Sequence, residues 1–232
     1  MEDILAANSI TKTFGGLLAL DDVTINLRAG KIHGLIGPNG SGKTTLLNLI
    51  TGVIKPTKGK MVFKGSDITG KKPHAIAGMG IGRTFQIPRV FPNLTTKENV
   101  QAVFKKSGNL SVEELLRIFS LDSERNVKAS RLGYAQKKSL ELARVMALNP
   151  EVILLDEPMS GLEVDTIHEM SKYIRELNET LNKTLLIVEH NLEELFSLSH
   201  HIFVLDHGVK LYEGEPEAIK DSEVVHAAYF GK

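Results

Sequence analysis

The most informative segment of this chain is Gly37-Pro38-Asn39-Gly40-Ser41-Gly42-Lys43-Thr44. It has the spacing of a phosphate-binding loop, in which a glycine and four further residues precede glycine, lysine and a hydroxyl residue. The apolar run at 32–36 before it is typical of a buried strand, and residues 45–50 after it have the pattern of a helix. Because a glycine-rich turn without a ligand needs neither neighbour, the sequence predicts a phosphate chain bound where this helix begins.

The residue types in this loop match that chemistry. Glycines permit positive φ and let backbone N–H groups approach a phosphate closely, and the helix N-terminus adds the positive end of a dipole. Lys43 is expected to reach the β- and γ-phosphates as a point charge, and the Thr44 hydroxyl is expected to hold Mg²⁺. The predicted nucleotide-binding residues of the loop are Gly37, Asn39, Gly40, Ser41, Gly42, Lys43, Thr44 and Thr45.

Composition argues against several classes of protein. The 232 residues include 28 lysines and arginines and 28 aspartates and glutamates, so no net charge draws the chain to nucleic acid or anionic lipid. There is no cysteine for a disulfide or a thiolate. The acidic start Met1-Glu2-Asp3 argues against a signal peptide, and no apolar run approaches the roughly 18 residues of a spanning helix. We expect a cytoplasmic protein that binds no nucleic acid and reaches a membrane only through another protein.

Alternating strand and helix patterns predict an α/β fold, a P-loop NTPase core with a mostly parallel sheet. Hairpin-like segments near both ends predict an added antiparallel β part: 4–10, 23–27, 202–206 and 209–212. Helical spacing recurs in the middle of the chain at 96–104, 111–119 and 137–148. We therefore expect a single domain over residues 1–232, with an inserted helical subdomain at approximately 90–148.

Polar residues follow the predicted central strands. Asp156 and Glu157 follow the apolar run 152–155, so both carboxylates are expected at the edge of the sheet that carries the phosphate loop. Asp156 could hold Mg²⁺ through water, and Glu157 could polarise the water that attacks the γ-phosphate. The alternative is an ordinary acidic turn before Pro158. His190, after the next strand, could bond the γ-phosphate or that water, or could simply cap a helix.

Two other positions are less specific from the residues alone. Gln86 follows a predicted strand and could reach Mg²⁺ or water with its amide, but a plain loop glutamine fits equally well. Phe14 lies beside Gly15 and Gly16, where its ring could stack on a purine or fill the core at a strand end.

The order of these motifs resembles that of an ABC transporter ATP-binding subunit over essentially the whole chain: phosphate loop, Gln86, the segment 132–136, the acidic strand end and His190. The resemblance implies that the chain binds ATP and Mg²⁺ and hydrolyses ATP. It implies these site residues: Phe14 stacking on adenine, Gln86 as the glutamine-loop residue, Glu157 as general base, His190 as switch histidine, and Thr44, Gln86 and Asp156 at the metal.

Within that family the chain looks like the ATPase of branched-chain amino acid importers. The segments that carry this likeness are Gly82-Arg83-Thr84-Phe85-Gln86, Val90-Phe91, Glu98-Asn99-Val100 and the ending Ala227-Ala228-Tyr229-Phe230-Gly231. The likeness implies membrane permease subunits docked on the Gln86–Asn99 surface, an extracytoplasmic solute-binding protein as an indirect partner, and a place on the inner face of the cell membrane. A related importer of urea or amides is the nearest variant.

The segment Leu132-Gly133-Tyr134-Ala135-Gln136 departs from the family signature Leu-Ser-Gly-Gly-Gln. In the family this segment faces the nucleotide held by the other subunit of a dimer, so Gly133, Tyr134, Ala135 and Gln136 are expected to contact the partner's ATP. Gly133 lacks the serine hydroxyl, a loss on the order of 1 kcal/mol or more, and Glu163 replaces the aspartate of the family's aspartate loop. A homodimer, a heterodimer with a sister ATPase and a low-turnover regulatory subunit all remain open.

Overall fold

The computed structural model describes residues 2–105, 110–223 and 225. Its strands are β1 (Asp3–Phe14), β2 (Leu17–Arg28), β3 (Ile32–Ile36), β4 (Lys58–Phe63), β5 (Ser66–Asp67), β6 (Ile81–Arg83), β7 (Val152–Asp156), β8 (Thr184–Val188), β9 (His201–Asp206) and β10 (Val209–Gly214). Its helices are α1 (Lys43–Ile50), α2 (Pro73–Met79), α3 (Thr96–Gln101), α4 (Val112–Ile118), α5 (Tyr134–Met146), α6 (Val164–Glu179), α7 (Leu192–Leu198) and α8 (Pro216–Lys220), with a 3₁₀ turn at Ala129–Arg131.

The central sheet has six strands in the order β10-β9-β3-β8-β7-β6. All neighbours in it are parallel except β10, which pairs antiparallel with β9. Every residue of β3, β7 and β8 is buried, as expected of parallel strands covered on both faces. The prediction of an α/β fold with a mostly parallel sheet is confirmed.

The predicted antiparallel segments near the N-terminus belong to a second sheet of four strands in the order β2-β1-β4-β5, whereas 202–206 and 209–212 form the antiparallel pair β9 and β10 of the central sheet. The first two strands of the second sheet are 12 residues each, longer than the predicted segments 4–10 and 23–27. They meet in a tight hairpin in which Phe14 pairs with Leu17 and Gly15 takes a φ of 57°. Phe14 is therefore the last residue of a strand at an exposed hairpin tip.

Two clusters of buried apolar side chains form the core, one on each face of the central sheet. Val152 and Leu154 belong to the cluster that includes the second sheet and α1, whereas Ile153 and Leu155 belong to the cluster that includes α4, α5 and α6. Because successive strand residues point to opposite faces, this alternation places α1 and α5 on opposite sides of the sheet.

The helices between 96 and 146 begin at identifiable caps. Thr95 and Ser111 each form a capping box with a glutamate three residues later, which stabilises the short helices α3 and α4. Helix α5 begins at Tyr134, three residues before the predicted start at 137, because Gly133 already has the extended backbone of an N-cap.

One helix was not predicted, and one predicted segment cannot be compared. Helix α2 has a proline at its first position and the left-handed Gly80 after its end, which together are a recognisable start and stop. The motif Ala227-Ala228-Tyr229-Phe230-Gly231 lies outside the described residues. Among the described helices, none has the length and apolar character needed to cross a bilayer.

Candidate functional site

The carboxyl ends of β3, β8 and β7 meet at one edge of the central sheet. The phosphate loop follows β3, His190 lies two residues after β8, and Asp156 ends β7 with Glu157 directly after it. The strands are in register, with both Leu35 of β3 and Asp156 of β7 opposite Val188 of β8. A cavity of about 320 Å³ opens at this edge. Its lining residues are Phe14, Leu17, Leu18, Ala19, the loop residues from Asn39 to Thr45, Glu157 and His190.

The phosphate loop requires glycine at Gly42, the N-cap of α1. Gly42 has a φ of 104°, and a Cβ there would lie 2.5 Å from Cδ2 of Leu20 and 2.9 Å from the carbonyl oxygen of Ala19. A side chain would thus meet both backbone strain and a steric clash. This close packing against β2 holds the start of α1 in place at the cavity.

Lys43 is folded back onto its own loop. Its Nζ donates to the carbonyl oxygens of Gly37 at 2.5 Å and Pro38 at 3.0 Å. Burial lowers the pKa of the Lys43 ammonium, and the nearby carboxylates of Glu157 and Asp156 oppose that shift. Because a buried ammonium is poorly solvated, an anion in the cavity would gain a strong charge-assisted partner.

Ser41 offers a second donor inside the loop. Its hydroxyl Oγ is buried and has no hydrogen-bond partner in the described part of the chain. A buried hydroxyl without a partner is unfavourable by roughly 1–3 kcal/mol. A phosphate oxygen in the cavity would satisfy it, so the loop fits the group that its sequence predicts.

The carboxylate of Glu157 contacts two other candidate site residues. Nε2 of Gln86 donates to its Oε2 at 2.8 Å, and Nε2 of His190 lies 3.3 Å from its Oε1. Its backbone is in the left-handed region with a φ of 50°, a conformation that costs on the order of 1–3 kcal/mol in a residue other than glycine. Its own N–H donates to Val188 and its carbonyl accepts from Lys138. The structure therefore brings together Gln86, Glu157 and His190, which are far apart in sequence.

Asp156 is held by a residue to which sequence reasoning assigned no role. Nη2 of Arg83 lies 2.8 Å from Oδ2 of Asp156, and both side chains are buried, with exposed fractions of 6% and 9%. In the sequence, Arg83 is distinguished only as part of the family-like segment 82–86. The signal that could have found it is a charged residue inside a strand that pairs with the acidic strand β7.

Glu189 is a second functional residue that sequence reasoning passed over. Its Oε1 accepts from the N–H of Met159 at 2.6 Å and its Oε2 from the N–H of His190 at 3.1 Å. Burial raises the pKa of Glu189, and these backbone hydrogen bonds oppose the shift. Glu189 thus fixes the loop after Glu157 and the backbone of His190 at the same time.

The segment 132–136 lies beside this site but not in its cavity. Gly133 is the N-cap of α5, and its N–H donates to Oε1 of Gln136 at 2.9 Å. The Tyr134 hydroxyl donates to the carbonyl of Gln86 at 3.3 Å, and its ring lies against Gly161. None of Gly133, Tyr134, Ala135 and Gln136 is among the described residues that line the cavity.

Phe14 stands at the mouth of the cavity. Its side chain is 45% exposed, next to the exposed Leu17 and Leu18, and Nζ of Lys12 lies 4.8 Å from its ring centre. A half-exposed aromatic ring at this place could stack on a planar base.

Comparison with known proteins places this geometry in a family. The family model described as "ABC transporter" matches residues 20–160, more than half of the chain. The chain belongs to the ABC transporter family. It is 34% identical over 252 aligned positions to the high-affinity branched-chain amino acid transport ATP-binding protein LivG of Salmonella typhimurium, covering 100% of this chain and 99% of LivG.

Solved structures of ABC transporter cassettes have the same fold. The ADP conformation of MJ1267, an ATP-binding cassette of an ABC transporter, superposes with a TM-score of 0.89 at 32% identity and covers 100% of both chains. The dimeric structure of MJ0796, a bacterial ABC transporter cassette, gives a TM-score of 0.81 at 29% identity and covers 91% of this chain and 98% of MJ0796.

These matches confirm the family and fold expected from the motifs. As an ABC transporter cassette, the chain is an ATPase subunit that binds ATP. The cavity at the phosphate loop brings together Phe14, the loop residues from Asn39 to Thr45, Glu157 and His190.

Proposed function

We propose that this chain powers an ABC importer of branched-chain or other hydrophobic amino acids by hydrolysing Mg-ATP. The observation that carries the catalytic part is the Glu157 carboxylate, held between Gln86 and His190 at the edge of the phosphate-loop cavity. Similarity to LivG over the full chain supports the importer and its substrate class.

ATP binds with its phosphates in the loop from Gly37 to Thr45. Lys43 turns from the carbonyls of Gly37 and Pro38 toward the β- and γ-phosphates, and the buried Ser41 hydroxyl donates to a phosphate oxygen. The exposed ring of Phe14 stacks on adenine at the mouth of the cavity.

Three oxygen donors near the γ-phosphate position fit a magnesium ion: the Thr44 hydroxyl, the Gln86 amide oxygen and the Asp156 carboxylate. Mg²⁺ prefers such oxygen ligands together with phosphate oxygens. When bound, the ion would neutralise negative charge that develops on the phosphates. Oδ2 of Asp156 accepts from Arg83, and Oδ1 is the second oxygen that this carboxylate could offer to the ion.

Glu157 then acts as general base toward the attacking water. In the structure its Oε2 accepts from Gln86 and its Oε1 lies 3.3 Å from Nε2 of His190, and each oxygen keeps a second lone pair that can accept the proton of the water. The imidazole of His190 is 46% exposed and can move to the γ-phosphate. That movement would remove the neighbour of Oε1 and open this oxygen to the attacking water.

Two ATPase subunits close around shared nucleotide, and the partner is either a second copy or a sister subunit. The N-terminus of α5 with Gly133 to Gln136 faces the ATP of the partner. ATP favours the closed pair only while its γ-phosphate is present, so hydrolysis allows the pair to open. The dimeric MJ0796 cassette supports this assembly.

Closure is transmitted to membrane permease subunits through the Gln86–Asn99 surface. Ile87 on that surface is 76% exposed and Phe91 is 43% exposed, which suits contact with an apolar partner. Glu141 of α5 accepts from the N–H groups of Phe85 and Arg89, so the surface is fixed to the helix that carries the signature segment. The chain would lie on the cytoplasmic face of the membrane, with a solute-binding protein as an indirect partner.

The proposed architecture is a single domain with a helical subdomain at approximately 90–148. Helix α3 packs on α5, and α4 contacts both. The apolar side chains of this region belong to the cluster on the α5 face of the sheet.

A low-turnover regulatory subunit is the second candidate. It is favoured by Gly133, which supplies no side-chain hydroxyl at the start of α5. The family's serine is absent at the position that faces the partner's nucleotide.

Mg-ATP turnover of the purified chain, measured beside Glu157→Gln, tests the proposal. We expect turnover by the chain alone or with a sister subunit, a loss of at least about 100-fold in Glu157→Gln, and an ATP-trapped dimer of that variant by light scattering. Glu179→Gln, an exposed glutamate in the last turn of α6, is the matched control and should retain full turnover. ATP binding without turnover, both alone and with the sister subunit, would support the regulatory role instead.

A further inference from the structure

Arg83 connects three separate elements through one buried guanidinium. It lies at the end of β6, and its Nη2 donates to Oδ2 of Asp156 at 2.8 Å. Its Nη1 donates to Oδ1 of Asn48 at 2.7 Å and lies 3.3 Å from Oγ1 of Thr51. The acceptors belong to β7 and to α1 with the residue that ends it.

The position of Asn48 places this connection next to Thr44. Asn48 is four residues after Thr44 in α1, and residues four apart lie on the same face of a helix. Arg83 therefore joins Asp156 to the turn directly behind Thr44, the two residues proposed above to hold magnesium from opposite elements.

We propose that Arg83 is a positioning residue for the magnesium site, which sets the separation of Thr44 and Asp156 and the orientation of the Asp156 carboxylate. This inference rests on the proposed roles of Thr44 and Asp156. A planar guanidinium with two donor nitrogens can hold two acceptors in a fixed geometry, which the single ammonium of lysine cannot do.

If only the charge of Arg83 mattered, its removal would change magnesium binding in the direction opposite to that expected from positioning. An experiment can therefore distinguish the two. A buried cation beside a metal ligand repels Mg²⁺, so repulsion alone would make removal of Arg83 strengthen magnesium binding. Positioning predicts weaker binding, because a buried carboxylate without its partner loses its fixed orientation. The burial of both side chains, with exposed fractions of 6% and 9%, favours positioning, since neither group has water to replace the other.

The test measures nucleotide affinity against magnesium in the Glu157→Gln background, where the bound state does not turn over. A fluorescent ATP analogue is titrated at a series of free Mg²⁺ concentrations and again in EDTA, for Arg83→Gln, Arg83→Lys and Asn48→Ala. We expect the free Mg²⁺ concentration that gives half of the full increase in nucleotide affinity to rise about 10–100-fold in both arginine variants. The rise should be smaller in Asn48→Ala. Affinity in EDTA should stay unchanged, and lysine should not restore the parent behaviour.

Two results would overturn the proposal. A lower Mg²⁺ requirement for nucleotide binding in Arg83→Gln than in the parent would mean that charge repulsion is the main effect. Equal loss of affinity with and without magnesium would mean that Arg83 only supports the fold. Asn48→Ala decides the matter if the arginine variants do not fold, because it removes one acceptor and leaves the ion pair with Asp156 intact.

A parallel Asp156→Asn variant separates this inference from the proposed function. Loss of magnesium dependence in Asp156→Asn with parent behaviour in Arg83→Gln would refute the positioning role alone. Unchanged magnesium dependence in Asp156→Asn would refute the metal role of Asp156, and with it the role of Arg83.

Discussion

Helices α1 and α5 both have a glycine as their N-cap, but their N-termini are built differently. Gly42, before α1, has a φ of 104° and touches β2. Gly133, before α5, has an ordinary φ of −64°, and the nearest atom to an added Cβ would be the Gln136 side-chain oxygen at 3.6 Å. Neither glycine has a side chain that could cap its helix, but the Gln136 side chain accepts from the N–H of Gly133 at the start of α5.

The difference shows which anion site this chain completes by itself. The N-terminus of α1 opens into a cavity that also contains Glu157 and His190. The N-terminus of α5 lies outside that cavity, beside Gln86. A helix N-terminus on the outside of the molecule needs a second chain to enclose an anion, so the two sites are expected to respond differently to equivalent substitutions.

The largest difference between the two helix ends is expected when one methyl group is added at each N-cap glycine. Gly42→Ala should lose about 1–3 kcal/mol of stability and at least tenfold in ATP affinity, because of the positive φ and the contact with Ala19 and Leu20. Gly133→Ala should leave stability and ATP affinity unchanged. Thermal unfolding and titration with a fluorescent ATP analogue measure both quantities.

Gly40→Ala is the matched control inside the loop. Gly40 also has a positive φ of 82°, but no atom lies within 4 Å of an added Cβ. Its loss of stability should be smaller than that of Gly42→Ala. Equal effects at positions 42 and 133 would remove the distinction between the two helix ends.

Acid should weaken the phosphate-loop region through His33, on the strand that leads into it. Burial lowers the pKa of His33 from 6.5 to about 4. Its Nε2 accepts from the N–H of Arg28, so the folded protein keeps the ring neutral. The depressed pKa means that stability is fully present above pH 6.5 and is lost as the pH falls toward 4, with about 2 kcal/mol lost at pH 5.

His33→Gln isolates this contribution in urea unfolding at pH 7 and pH 5. The variant has no titrating group at position 33, so its loss of stability between the two pH values should be smaller by about 2 kcal/mol. The same loss in both proteins would show that other groups cause the acid sensitivity. No buried histidine precedes α5 in this way within the described residues.

A serine at position 133, as in the family signature, should strengthen the ATP-dependent dimer through the N-terminus of α5. Gly133→Ser supplies one hydroxyl donor toward the partner's nucleotide, worth on the order of 1 kcal/mol. In the Glu157→Gln background the ATP-dependent dimer should tighten about fivefold, as measured by analytical ultracentrifugation. The Gly133→Ala variant lacks the hydroxyl and should not tighten, and a gain in that variant would contradict the hydrogen-bond explanation.

The smallest effect is expected from Tyr134→Phe. It removes the hydroxyl that donates to the carbonyl of Gln86 at 3.3 Å and retains the ring against Gly161. Because this hydrogen bond is exposed, its loss should cost no more than about 1 kcal/mol and change Mg-ATP turnover less than fivefold. A larger fall in turnover would show that the signature segment controls this chain's own Gln86.

Several contacts at the site could be anticipated from sequence only in part. The strand pattern predicts Asp156, Glu157 and His190 at one edge of the central sheet, because parallel strands end on the same side of a sheet. Their contacts were not predictable, since the hydrogen bond from Gln86 to Glu157 joins residues 71 positions apart. Arg83 had no signal in periodicity, because a three-residue strand is too short to show which side chains are buried.

The sequence alone determined the phosphate loop, the alternation of strands and helices apart from α2, and the acids at the strand ends. These are local features, written in the spacing of neighbouring residues. Tertiary structure alone decided that Glu157 sits between Gln86 and His190, that Arg83 joins Asn48 to Asp156, and that the segment 133–136 lies outside the cavity. The physical reason is that such contacts depend on how helices pack on a sheet, which brings together side chains whose separation along the chain carries no information about their distance in space.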